Sequence, residues 1–246
     1  SVRLLDKPFE PANLRKATRS GCANCATPHS SKFASDVQGM SWAANLPILV
    51  TSGEPAGIGP ELCALLAESN QANRLKRSLV ILGDSDLLET RASHAGIQPT
   101  WQRINSLQDV GTSDTGPHGY FLLNHTLSSP CITGQPNPAN AAGIIDVIAR
   151  AVDLVQHGHA SAICTSPINK KALKDGAGFA FPGHTEYLAH LAGIGQVVMM
   201  LACKELRVVP VTIHIPIAEV PAALTAERLE TTIRIARDGL MREFGI

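Results

Sequence analysis

Aromatic residues are scarce, at 4% of 246 residues with only two Trp and two Tyr. The core must therefore be packed from Val, Ile, Leu and Ala, the side chains of layered α/β sheets. An excess of charge of either sign is also missing, since 21 Lys+Arg balance 21 Asp+Glu for a formal net charge of +0. Without a basic surplus, neither nucleic acid nor an anionic membrane surface is an expected partner. No run approaches the roughly 18 consecutive apolar residues of a membrane span. The six cysteines form no dense framework and no signal-type apolar stretch is seen, so a reducing cytoplasm is expected. What is present, 44% hydrophobic and 17% charged residues, is a globular composition and excludes fibres and wholesale disorder.

Residues 1–45 carry Ser, Lys, Arg, Asn and Pro without a sustained period of 2 or 3.6. They are expected to form a disordered extension. Within them Cys22-Ala-Asn-Cys25, followed by His29, has half the spacing of a zinc knuckle, but no second pair follows. From residue 46 to 246 one domain is expected. Strand-like runs at Pro47–Thr51, Ser78–Gly83, Gln98–Asn105, Ala160–Thr165, Val197–Leu201 and Val208–Ile213 alternate with helical stretches. Pro60–Ser69, Asp84–Ala95, Ala139–His157 and Thr225–Phe244 read as helices. In the third, Ala142, Ile145, Ile148, Ala149, Val152 and Val155 lie near one face; in the last, Leu229, Ile233, Ala236 and Leu240 are expected to form a buried stripe. Residues 106–138 are rich in Gly, Pro, Ser and Asp, with one apolar run at Tyr120–Leu123. This order predicts βαβ units and a largely parallel sheet.

Four places can carry chemistry. Thr51-Ser-Gly-Glu-Pro-Ala-Gly-Ile-Gly-Pro-Glu61 joins a buried strand to a helix. It lacks the Lys-Ser/Thr of a P-loop and the third glycine of a dinucleotide fingerprint. It is either a cradle for an anion or a plain tight turn, and Glu54 and Glu61 are either pocket residues or solvated acids. Thr165-Ser-Pro-Ile-Asn-Lys-Lys171 also sits at the carboxyl end of a strand, where open α/β sheets bind ligands. Asn169, Lys170 and Lys171 there could hold a phosphate or carboxylate, or be an ordinary loop with solvated lysines. Phe179-Ala-Phe-Pro-Gly-His-Thr-Glu186 puts His184 and Thr185 at a helix start. Both could donate to a charged substrate; the plainer reading makes Thr185 an N-cap beside an exposed histidine. His214 ends an apolar run and is either a satisfied core histidine or a metal ligand. No other histidine shows ligand spacing with it.

Taken in order, Gly53-Glu-Pro-Ala-Gly-Ile-Gly-Pro-Glu61, Thr165-Ser-Pro-Ile-Asn-Lys170, Gly183-His-Thr-Glu186, Val197-Val-Met-Met-Leu201 with Leu206-Arg-Val208, and Thr212-Ile-His-Ile-Pro216 resemble the 4-hydroxythreonine-4-phosphate dehydrogenase family of pyridoxal phosphate biosynthesis. The likeness covers about residues 47–246. It implies a three-layer α/β/α fold related to isocitrate and isopropylmalate dehydrogenases, with two subdomains and a cleft. It also implies a homodimer with the active site at the interface. The activity implied is oxidation, with decarboxylation, of 4-phosphohydroxy-L-threonine to 3-amino-2-oxopropyl phosphate. NAD or NADP and a divalent metal (Zn, Mg or Co) are the implied cofactors. The resemblance assigns substrate contacts to His184 and Thr185 and metal ligation to His214; Glu54, Asn169 and Lys170 stand as candidate pocket residues from the loops themselves. The family pattern runs on past Ile246, so this chain is expected to lack the C-terminal part of the fold, two further metal histidines and most of the cofactor site. Within the same chemistry the substrate could be threonate or erythronate 4-phosphate. A non-catalytic binding or dimerisation module, or an acyl- or phosphotransferase, are the readings of other classes.

Overall fold

The computed structural model describes residues 46–110, 118–203 and 205–246. The Cys22/Cys25 pair and the expected extension over residues 1–45 lie outside them. Contacts divide the described chain into a first unit ending at Pro210 and a second, Val211–Ile246.

The first unit is built on a five-stranded sheet: β1 (Ile48–Thr51), β2 (Leu79–Gly83), β3 (Trp101–Ile104), β4 (Tyr120–Asn124) and β5 (Ala162–Thr165). Their order is β3-β4-β2-β1-β5 and every pairing is parallel. The inner strands β1, β2 and β4 read as near-continuous apolar runs because both faces are covered, whereas the edge strand β3 carries Gln102 and Arg103 and is only partly buried. On one face Ile48, Val50, Leu79, Ile81, Tyr120 and Leu122 pack against α1 (Gly59–Glu68), α2 (Gln71–Leu75) and α3 (Ser85–His94) through Cys63, Ala67, Ala72 and Leu88. The alternate residues Leu49, Val80, Leu82, Phe121 and Leu123 face α4 (Ala141–Gln156) through Val147 and Ala151. This is the expected three-layer α/β/α arrangement, with side chains assigned to layers by the period of 2.

Three details depart from the sequence reading. Tyr120–Leu123, embedded in a loop-rich stretch, is an inner strand, and the Tyr120 hydroxyl accepts from Ala72 N (3.0 Å) and donates to Ser69 O (2.8 Å), tying β4 to the α1–α2 turn. The buried stripe of α4 is Ala141, Ile144, Val147, Ile148, Ala151 and Val152, sharing only Ile148 and Val152 with the expected one. That helix is apolar over so much of its circumference that local periodicity admits more than one stripe, and the sheet selects. Finally, Val197–Leu201 and Val208–Ile213 do not enter the sheet. Only β6 (Leu201–Ala202) and β7 (Arg207–Val208) form, as an exposed antiparallel pair.

Two further helices belong to the first unit, α5 (Lys170–Ala177) and α6 (His184–Leu191). The second unit holds α7 (Val220–Ala223) and α8 (Ala226–Gly239), the latter capped by Thr225 Oγ1 accepting from Arg228 N and continued by a π-turn at Leu240–Phe244. The expected buried stripe on α8 is not buried: Leu229 is 41% and Ile233 56% exposed. The pattern is amphipathic, but periodicity alone does not bury a face. Among the described residues no helix is long and apolar enough to cross a membrane.

Candidate functional site

β1 and β5 are neighbours with Thr51 opposite Thr165, so their following loops leave the sheet side by side. From β1 the chain builds outwards to β2; from β4 it crosses back to β5 on the other side of β1. The gap between β1 and β5 is therefore the topological switch point, where open α/β sheets bind ligands.

The two loops are locked together. Glu54 N donates to Pro167 O (2.8 Å) and Ser166 N to Thr51 O (3.1 Å). Gly53 adopts a left-handed φ of 73° and lies so close under Pro167 that a Cβ would overlap its carbonyl oxygen; at Gly59 a Cβ would overlap Ser52 O. Two further amides of the loop are consumed internally, Ala56 N on Glu54 Oε1 (3.1 Å) and Gly57 N on Glu54 O (3.0 Å). The glycine-rich segment is thus a tight turn packed on its neighbour, and the amides of Glu54, Ala56 and Gly57 do not form an anion cradle.

Glu54 is not a solvated turn acid. It is 5% exposed, and its Oε2 is buried without a protein partner. Burial pushes its carboxyl above the usual carboxylate range, partly offset by the Ala56 amide. A raised folded pKa means that the stability it contributes is full below the unfolded value of about 4.3 and is lost as pH rises through the folded value. Glu54→Gln is therefore expected to melt above wild type at pH 7, with the difference closing below about pH 4. A lower melting temperature at pH 7 would show that the carboxylate makes a bond an amide cannot replace.

Arg91 was not legible as a site residue. It sits on the buried face of α3 with Leu88 and Ala92 and is itself 6% exposed. Its Nε donates to Glu61 Oε1 (2.6 Å), Nη1 to Pro55 O (2.8 Å) and Nη2 to Gly57 O (2.8 Å). A cation three residues from Leu88 on an apolar stripe is the signal that could have found it.

Across the switch point, Asn169 caps α5, its Oδ1 accepting from Ala172 N at 3.0 Å. Lys171 is tied to Asp175 at 2.5 Å in solvent. Lys170, the first residue of α5, turns the other way. Its Nζ lies 3.6 Å from where a Cβ on Gly183 would be, with Glu186 Oε2 at the same distance. The structure thereby brings Lys170 and His184 to one place.

Gly183 caps α6 with extended backbone and no side-chain bond, His184 is the first helical residue, and Thr185 lies inside the first turn. Thr185 is consequently not the N-cap of the plainer reading. The amides of this helix start receive no side-chain cap, an arrangement that favours anions. His184 Nε2 is buried without a protein partner. Burial lowers the imidazole pKa, and the Lys170 ammonium lowers it further. A buried polar atom left unpaired costs about 1–3 kcal/mol, which a bound acceptor removes. The helix is held by aromatic packing: Tyr187 stacks edge-on to Phe179 with centroids 5.1 Å apart, and Phe181 contacts both Tyr187 (5.1 Å) and His190 (5.0 Å).

A separate cleft of about 340 Å³ opens beside Asp84, Ser128 and Cys131, but the Asp84 carboxylate is spent on Leu87 N and Leu127 N, both at 2.9 Å. In the second unit, His214 follows no strand; it is exposed, with φ 58°. It is not a satisfied core histidine. Among the described residues no group of three His, Cys, Asp or Glu side chains could hold a metal ion. His214 alone does not make a metal centre, which needs about three protein ligands.

The chain is similar to known proteins over most of its length. A family model described as pyridoxal phosphate biosynthetic protein PdxA matches residues 74–246. The 4-hydroxythreonine-4-phosphate dehydrogenase of Paracoccus denitrificans is 48% identical over 204 residues, covering 81% of this chain and 58% of the relative. The protein of the same name from Roseobacter denitrificans is 45% identical, covering 82% and 59%. A crystal structure of the 4-hydroxythreonine-4-phosphate dehydrogenase of Klebsiella pneumoniae superposes with a TM-score of 0.71 at 30% identity, over 80% of this chain and 60% of that one. The chain thus spans about three-fifths of the length of the relatives it resembles.

Proposed function

Because the chain belongs to the pyridoxal phosphate biosynthetic protein PdxA family, we propose that it supplies the substrate-phosphate end of a dehydrogenase acting on 4-phosphohydroxy-L-threonine. The reaction is oxidation of the secondary alcohol with loss of carbon dioxide, giving 3-amino-2-oxopropyl phosphate. The observation that carries this reading is the buried, unpartnered Nε2 of His184 at the uncapped start of α6, beside the Lys170 ammonium. Such a constellation suits a phosphate: the helix start and Lys170 supply positive potential, His184 supplies a directed donor, and Thr185 a hydroxyl. Asn169 and Glu54 shape the wall through the cap of α5 and the turn after β1.

In this reading NAD or NADP would accept the hydride, and a divalent metal (Zn, Mg or Co) would supply Lewis acidity. The described residues do not fit a complete metal site, so His214 is proposed as one ligand of a set requiring further donors. A homodimer with the active site at its interface and a cytoplasmic location complete the proposal.

The test is hydride transfer to NAD with 4-phosphohydroxy-L-threonine, compared with threonate and erythronate 4-phosphates. Turnover of the amino substrate supports the proposal; turnover of the non-amino acids alone reassigns the substrate. Phosphate binding without any turnover makes the chain a binding module. His214→Ala is expected to leave the melting temperature within about 2 °C, since exposed substitutions rarely exceed about 0.5 kcal/mol, while abolishing metal-dependent turnover in the assembled enzyme. Wild-type kcat and metal affinity in that variant would overturn the ligand assignment.

A further inference from the structure

We propose that Arg91 is a positioning residue for the phosphate-holding end, acting through the turn after β1 and the loop after β5; this rests on the phosphate reading of His184 and Lys170. Its guanidinium is nearly inaccessible to solvent and spends three N–H groups on one object, the turn between β1 and α1. Nη1 holds Pro55 O, Nη2 holds Gly57 O, and Nε holds Glu61 at the first turn of α1. A planar fork bonding to two carbonyls two residues apart fixes the path of the turn as a single ammonium cannot.

That turn in turn fixes the neighbouring loop. Glu54 N, adjacent to the clamped Pro55, donates to Pro167 O, and Gly53 passes under the same carbonyl at a distance only glycine permits. Three residues beyond Pro167, Lys170 opens α5, with its ammonium over Gly183 at the start of α6. The Glu54 N–Pro167 O hydrogen bond, the close pass of Gly53 under Pro167 and the Asn169 cap of α5 link the turn to Lys170, so a shift at Pro55 and Gly57 is passed along these contacts to Pro167 and Lys170, which are themselves solvent-exposed. Arg91 touches none of the residues proposed to bind the phosphate, and its effect is on where Lys170 stands.

The experiment is titration of the 246-residue chain with inorganic phosphate, read by the NMR shifts of the His184 ring protons, with thermal melting in parallel. Arg91→Met alone strips the half-buried Glu61 carboxylate of its partner, a loss that by itself destabilises the fold, so the deciding variant is Arg91→Met with Glu61→Leu, which removes both charges. This double variant is expected to stay folded and to weaken phosphate binding about tenfold. Arg91→Lys, keeping the charge but losing the fork, should weaken it about threefold. Lys170→Met is the control for direct loss. A folded double variant with wild-type affinity would overturn the inference, and so would a double variant that unfolds, because Arg91 would then be scaffold only. Absence of phosphate-dependent shifts in wild type would instead sink the phosphate reading itself.

Discussion

Alanine at position 184 is expected to weaken binding of the phosphorylated substrate about 10- to 100-fold, the equivalent of losing one charge-assisted hydrogen bond worth about 1.5–3 kcal/mol. The loss should fall chiefly on KM, because the contact is to a group remote from the bond being oxidised. A second readout separates this role from packing. Burial holds the His184 imidazole below its ordinary value, so as pH falls the unfolded chain takes up the proton first. The stability associated with a neutral His184 is therefore full above the unfolded value of about 6.5 and is lost as pH drops through the folded value. His184→Ala should flatten that limb of the melting profile. It should not destabilise the chain at pH 8, since a buried nitrogen lacking a partner is removed with the ring. Unchanged KM together with an unchanged pH profile would return His184 to an ordinary loop residue.

The largest expected effect on the fold is at Gly53. Alanine there meets two penalties at once: a left-handed φ of 73°, and overlap with the Pro167 carbonyl oxygen. The first costs about 1–2 kcal/mol. The second is a collision with backbone, which no rotamer change relieves, and brings the total to about 3–5 kcal/mol. The melting temperature should fall by about 10 °C or more. Gly96 provides the control, because its φ is 68° but a Cβ there would meet nothing within 4 Å. Gly96→Ala should therefore cost only the dihedral strain of about 1–2 kcal/mol. Equal losses in the two variants, measured by denaturant unfolding, would show that the loop-to-loop contact at Pro167 does not hold the fold.

Much of the fold was legible because strands and helices announce themselves locally. Ile48, Leu49 and Val50, and Leu79, Val80, Ile81 and Leu82, are unbroken apolar runs and are buried at every position, as a strand covered on both faces requires. Pro60 sits in the first turn of α1, where its missing N–H costs nothing. Legibility failed where the signal was local but the answer was not. The apolar residues of Val197–Leu201 and Val208–Ile213 look like strand residues, but a strand needs a neighbour, and in the described chain only a short hairpin forms. The stripe on α8 is amphipathic, but burial depends on what covers it, which no periodicity encodes.

The candidate site divides in the same way. The sequence by itself determined the strand–helix alternation that builds the parallel sheet, the family, and the glycine-rich, Asn-Lys and Gly-His-Thr segments as the chemistry-bearing ones, because residue type and spacing are properties of short stretches. Only the tertiary structure decided what each of those residues does. It gave the Glu54, Ala56 and Gly57 amides of the glycine-rich turn to Pro167 and Glu54 instead of to an anion, made Asn169 a cap, set Lys170 over Gly183, left His184 Nε2 buried and unpaired, and put an unforeseen arginine at the centre of the turn. The reason is distance along the chain. Arg91 reaches back more than thirty residues to Pro55 and Gly57, and Glu54 more than a hundred ahead to Pro167, and a hydrogen bond between residues so far apart in sequence exists only once the sheet has brought them together.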